Sequence, residues 1–143
     1  MSFNVLIVDD SSSMRAVIKK IILISGFKMN QCFEAGNGKE ALAALADNWV
    51  DVIMSDINMP VMNGFELLVR LKKDNLLRDI PVIVVTTESS EKRKQDAFNL
   101  GVKGFIRKPF LPEEVRKILY DVIGVSDEGE YEEDRGDDKA FDF

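Results

Sequence analysis

Five times along this chain a short apolar run gives way to a stretch with helical spacing, and that alternation limits the fold more than any other feature. Residues 3–8 form an apolar run ended by acids, as a buried strand would. Ser11, Ser12 and Ser13 can cap the helix that follows, whose apolar positions are Val17, Ile18, Ile21, Ile22 and Ile24, with Gly26 suited to its end. A second strand is expected over 27–34, and Asn37 opens a helix with Ala41, Leu42 and Leu45 on one face. A third strand is expected over 50–55. Pro60 and Gly64 then mark a loop before a helix over 65–73. A fourth strand is expected over 80–86, a helix capped by Ser89 or Ser90 runs to about Leu100, and Gly101 stops it. A fifth strand over 102–106 and a helix from Pro112 to about Ile123 complete the series.

Strands that read as continuous apolar runs are covered on both faces. Right-handed crossovers then give a parallel sheet with helices on both sides. The expected class is α/β, an open, doubly wound, five-stranded parallel sheet, and ligands of such sheets bind beyond the carboxyl ends of the strands. The expected organisation is one domain over 1–123 and an acidic C-terminal tail over 124–143. Residues 1–123 carry 17 Lys+Arg against 16 Asp+Glu, whereas 124–143 carry 2 against 9, so the net charge of −6 belongs to the tail. That composition suits a segment that stays disordered or regulates, although Phe141 and Phe143 are aromatic.

Composition removes several function classes. The chain has no histidine, which excludes His–carboxylate–nucleophile triads, histidine metal sites and an internal phosphohistidine. The one cysteine, Cys32, allows no internal disulfide and reads as a small hydrophobe in a strand. No basic surface suggests nucleic acid. The longest apolar run of the first helix, residues 21–24, is far short of the roughly 20 residues that cross a bilayer. With no basic, apolar start to the chain, a cytoplasmic location without membrane insertion is expected.

The strand ends hold the chemistry. Asp9 and Asp10 follow the first strand, Asp56 the third, Thr86 and Thr87 end the fourth, and Lys108-Pro109 follow the fifth. Taken singly, each has a bland explanation as a cap, a turn or a strand terminus. Together, on one edge, they place three carboxylates beside a hydroxyl and an ammonium. Close carboxylates repel one another, and a hard divalent cation with oxygen ligands resolves that repulsion. Asp56 is the natural nucleophile for an acyl phosphate, and Lys108 can neutralise a phosphate oxygen.

These residues resemble the receiver domain of two-component response regulators over about residues 3–123. The motifs are Val8-Asp9-Asp10-Ser11, Asp56-Ile57-Asn58-Met59-Pro60 with Asn63-Gly64, Thr86, and Lys108-Pro109-Phe110. The resemblance implies the flavodoxin-like strand order 2-1-3-4-5 and a stand-alone signalling switch rather than a conventional enzyme. It implies phosphorylation of Asp56, Mg2+ held by Asp9, Asp10, Asp56 and the backbone carbonyl of Asn58, and contact of Lys108 with the phosphoryl group. Thr86 and Phe105 are the implied switch pair, where many relatives carry tyrosine at the position of Phe105. Asn58 and Glu88 resemble the pair that tunes dephosphorylation, and the Lys108-Pro109 peptide is expected to be cis. The implied partners are a sensor histidine kinase or a histidine phosphotransfer protein, a phosphatase, and a downstream target on the face of helix four, strand five and helix five. Chemotactic motility, a phosphorelay and phosphate-sink duty all fit. The charge run Glu91, Lys92, Arg93 and Lys94 reads as a solvated face, and the acidic tail could mask it or recruit a partner.

Four rival readings are weaker. A flavin module shares the fold, but Asp9 and Asp10 would face the cofactor's phosphate without a metal. An aspartate-nucleophile phosphatase commonly carries Asp-x-Asp on its first strand, which Asp9-Asp10-Ser11-Ser12 does not match. Gly36-Asn37-Gly38-Lys39 lacks the spacing of a nucleotide loop. A receiver used only for phosphorylation-independent binding keeps no need for the chemical residues, all of which are present.

Overall fold

The computed structural model describes residues 1–88 and 90–125. Its elements alternate as β1 (Phe3–Val8), α1 (Ser12–Ser25), β2 (Met29–Ala35), α2 (Gly38–Asp47), β3 (Val52–Ser55), α3 (Gly64–Lys72), β4 (Val82–Thr86), α4 (Glu91–Asn99), β5 (Gly104–Arg107) and α5 (Pro112–Ile123). All neighbouring strands pair in parallel, in the order β2-β1-β3-β4-β5. The doubly wound architecture expected from the sequence is therefore the one observed.

Period-two alternation divides the core. Leu6, Val8, Ile53, Val82 and Val84 pack with Ala41, Leu45, Leu67, Leu68, Leu71 and Ala97, on the side of α2, α3 and α4. Val5, Ile7, Val52, Met54, Ile83 and Val85 point the other way, to Ile18, Ile22, Val115 and Leu119 of α1 and α5. Burying each such side chain stabilises the fold by about 1.5–3 kcal/mol, so both faces are firmly held.

The apolar-run rule fails for β2. Its sequence is MNQCFEA, and only Ala35 is buried outright. As an edge strand bonded to β1 alone, it can turn Asn30 and Gln31 to solvent. Cys32 is half-buried there, and burial pushes its thiol pKa up. In α1 only Ile18 and Ile22 are buried, while Val17 and Ile24 are exposed. A β-branched run supplies more apolar positions than one helix face can cover. Strands β2, β3, β4 and β5 each start two residues later than expected; ahead of the last three, Asp51, Pro81 and Lys103 make only a single backbone bond each to a neighbouring strand.

The helix starts follow side-chain chemistry. Ser11, Asn37, Asn63 and Ser90 each accept a backbone N–H three residues on. Gly26 takes the left-handed conformation at φ 86°, closing α1. Pro112 occupies the first turn of α5, where a missing N–H loses no bond. Among the described residues, no helix is long and apolar enough to cross a membrane. The tail from residue 126 onward lies outside the described residues, so its regulatory role is not addressed by the fold.

Candidate functional site

Parallel register brings the strand ends to one edge. Val8 lies opposite Ser55, and the backbone N–H of Asp56 donates to the Val8 carbonyl at 2.9 Å, which sets Asp9 and Asp56 side by side. Thr86 lies opposite Arg107, and the Lys108 N–H donates to the Thr86 carbonyl at 2.8 Å. From there the Lys108 stem reaches past the end of β4. The Lys108-Pro109 peptide is cis, as the resemblance implied.

Each carboxylate is oriented by its own backbone. Asp9 Oδ1 accepts from the Ser11 N–H at 2.9 Å, and Asp56 Oδ1 accepts from the Ile57 N–H at 2.6 Å. Both Oδ2 atoms are thereby turned to one point, where Lys108 Nζ donates to Asp9 Oδ2 at 2.9 Å and to Asp56 Oδ2 at 3.3 Å. The three side chains are 3%, 14% and 10% exposed for Asp9, Asp56 and Lys108. Burial alone would push the Lys108 pKa down. The hydrogen bond and charge of Asp9 with the charge of Asp56 outweigh it and hold the ammonium above its ordinary value.

Asp10 does not join them. Its side chain is exposed, and among the described residues no group of three or more carboxylate, thiol or imidazole side chains is close enough to hold a metal. The expected triple convergence is thus a pair around Lys108, with Asp10 one residue further out on the solvent side. The pair itself fits a hard cation. Its two Oδ2 atoms already converge on one positive centre, and oxygen carboxylates are the donors Mg2+ prefers.

Thr86 is fully buried, and its Oγ1 accepts from the Glu88 N–H at 3.2 Å rather than meeting Asp56. Glu88 Oε1 in turn accepts from the Ser90 N–H at 3.4 Å. Phe105 is half-buried on β5, with Lys94 Nζ 6.0 Å from its ring centroid. Asn58 is exposed, and its Oδ1 accepts from Arg93 at 3.3 Å. Asn58 and Glu88 therefore flank the site from different loops without touching.

Two arginines escape notice in the sequence. Arg15 donates to the Asp9 carbonyl and pairs with Glu34 at 2.9 Å, bracing the end of β1 against β2. Its position four residues after the cap Ser11 was the available signal. Arg93 gave none, since it stands within a charge run. A hollow of about 660 Å³ lined by Leu42, Trp49, Leu77 and Ile80 lies where the strands begin, and it contains none of the site residues.

A parallel sheet whose carboxyl edge joins two aspartates through one lysine defines a receiver, and this chain belongs to the response regulator receiver domain family, whose model matches residues 5–120. Among individual relatives, chemotaxis protein CheY1 of Helicobacter pylori is 38% identical over 125 residues, covering 87% of this chain and 99% of that one. The chemotaxis protein CheY homolog of Campylobacter jejuni is 40% identical over 122 residues, covering 85% of this chain and 92% of that one. The solved structure of CheY4 from Vibrio cholerae superposes with a TM-score of 0.75 at 37% identity, over 85% of this chain and 99% of that one.

Proposed function

We propose that this receiver takes a phosphoryl group onto Asp56 from a phosphohistidine of a sensor kinase or a histidine phosphotransfer protein, in the cytoplasm. The observation that carries this reading is the convergence of Asp9 Oδ2 and Asp56 Oδ2 on Lys108 Nζ. Asp56 Oδ1 is tied to the Ile57 N–H, so Oδ2 is the atom presented to phosphorus. A bond forms from Oδ2 to phosphorus as the phosphorus–nitrogen bond breaks, and the electron pair returns to the donor imidazole. Lys108 then follows the charge to a phosphoryl oxygen. Such transfer rests on positioning and charge neutralisation more than on other covalent chemistry. Mg2+ would be held by Asp9, Asp10, Asp56 and the Asn58 backbone carbonyl, and when bound it supplies positive charge against the phosphoryl oxygens.

The new dianion recruits the Thr86 hydroxyl, which must leave the Glu88 N–H. Phe105 then closes into the vacated space, and the face of α4, β5 and α5 changes for a downstream target. Burying the exposed part of a phenyl ring contributes at most about 1.5–3 kcal/mol. Allosteric couplings are about 1–3 kcal/mol, so the driving force matches the task. The two relatives above, matched over 99% and 92% of their own length, are named as chemotaxis proteins, which supports a motility pathway. The chain works as a switch rather than a conventional enzyme, and a phosphatase would shorten its signal.

Incubation with acetyl phosphate, with and without Mg2+, followed by intact mass measurement, tests the reading. The expected result is one phosphoryl group per chain that requires both Mg2+ and Asp56, and none on Asp56→Asn. A folded chain that stays unmodified would instead indicate a phosphorylation-independent binding module.

A further inference from the structure

Arg93 does not behave as part of a solvated face. It is half-buried, with its guanidinium carbon 4.7 Å from the centroid of the Phe65 ring. Its terminal nitrogen donates to Asn58 Oδ1 at 3.3 Å, while its Nε is buried with no acceptor among the described residues. The first turn of α4 thus reaches across to the loop that follows Asp56.

That contact closes a string of hydrogen bonds that begins at Thr86. Thr86 Oγ1 accepts from the Glu88 N–H at 3.2 Å, Glu88 Oε1 from the Ser90 N–H at 3.4 Å, and Ser90 Oγ from the Arg93 N–H at 3.3 Å. Arg93 then hands on to Asn58. The string joins the loop after β4 to the loop after β3, the two loops that border Asp56 on this side of the sheet. Its last contact is a single long bond backed by a ring, and the buried Nε–H gains nothing there. Such a contact can open without disturbing the core.

We propose that Arg93 and Asn58 form a latch over the phosphorylation site, and that Arg93 is a positioning residue which sets how fast the site exchanges with solvent. This rests on the reading of Asp56 as phosphoacceptor. Closed, the latch hinders both the donor on its way in and the water that ends the signal. In the entry step the Asp56 Oδ2–phosphorus bond forms, the donor's phosphorus–oxygen bond breaks, and acetate leaves with the electron pair. In the exit step a water oxygen bonds to phosphorus, the Oδ2–phosphorus bond breaks with its pair returning to the carboxylate, and the water protons leave with inorganic phosphate and solvent. Recruitment of Thr86 to the phosphoryl group would release the string at its first bond, linking the latch to the switch.

The test uses the full chain with acetyl phosphate and Mg2+, following phosphorylation and, after donor removal, decay by intact mass. R93M is expected to speed both rates by ~3- to 10-fold, the range one net hydrogen bond represents. N58A should speed both rates as well, and R93M should add nothing in the N58A background, because the latch is already open. R93L serves in its place if R93M melts too low to use. Unchanged rates in R93M, acceleration of only one step, or an equal further acceleration in N58A/R93M would overturn the latch while leaving the phosphoacceptor intact. A wild-type chain that takes no phosphoryl group would remove the functional reading and the latch together, a result distinct from all of these.

Discussion

Lys108 shows how one side chain can hold a site together and still be free to act. It pairs with Asp9 and Asp56 in a nearly buried setting. K108M keeps much of the stem's packing but leaves two carboxylates facing each other. Losing one partner of a buried pair costs about 3–5 kcal/mol, and the partial exposure of Asp56 should bring the loss toward the lower end. Thermal melting should show this loss, with Mg2+ recovering more stability in K108M than in the wild type. The pH dependence follows from the raised pKa of Lys108. The folded chain holds this proton more tightly than the unfolded one. The stabilisation is therefore complete below the unfolded lysine value of about 10.4 and is lost only as pH rises through the higher folded value. Urea titrations between about pH 6 and pH 9, where lysine stays protonated in the folded and the unfolded chain alike, should show no contribution from Lys108 to any slope.

At the scale of elements, the site depends on how closely α3 approaches β3. Gly64 donates its N–H to the Ile57 carbonyl at 2.8 Å. A Cβ added to it would collide with the Asp56 carbonyl oxygen and lie 2.8 Å from the Ile57 Cα. G64A must therefore push the helix start away from the backbone that carries Asp56. We expect destabilisation of about 1–3 kcal/mol, the usual range for forced overpacking, in chemical denaturation. Slower phosphorylation should accompany it. Beside it, Asn63 and Glu66 exchange bonds in a capping box, each at 2.9 Å. N63A should lower stability by about 1 kcal/mol, with a smaller effect on phosphorylation than G64A, because it removes a cap without moving the Asp56 carbonyl.

For the molecule as a whole, charge and core are separately housed. The two core clusters and the hydrophobics packed against them lie between Phe3 and Val125 among the described residues. Residues 126–143 hold 9 Asp+Glu against 2 Lys+Arg, so their removal changes the formal net charge from −6 to +1. We propose 126–143 as a segment apart from the receiver, two residues shorter than the expected 124–143, because Gly124 caps α5 and Val125 packs on the core. The chain ending at 125 should then melt within about 2 °C of the full chain by calorimetry, less than the ~2–8 °C that 1 kcal/mol shifts a domain of this class. A larger drop would show that the tail contributes to the fold. Unchanged partner affinity and phosphorylation kinetics in the same truncation would sink a regulatory role for the tail.

The succession of elements, most helix caps and the identity of Asp9, Asp56, Thr86 and Lys108 were legible in the sequence, because hydrophobic period, cap chemistry and strand ends are local properties. Which residues of β1, β3 and β4 face each half of the core was not legible there, since runs apolar at every position look alike on both faces. Tertiary structure alone decided that Lys108 stands between Asp9 and Asp56 and that Asp10 turns outward, since backbone donors from Ser11 and Ile57 choose which carboxylate oxygens converge. It alone made β2 an exposed edge, because edge position is a matter of strand order and not of composition. And it alone separated Arg93 from its charged neighbours: in the sequence the run 91–94 is uniform, but only one of its side chains meets Phe65 and Asn58 when α4 packs beside the end of β3.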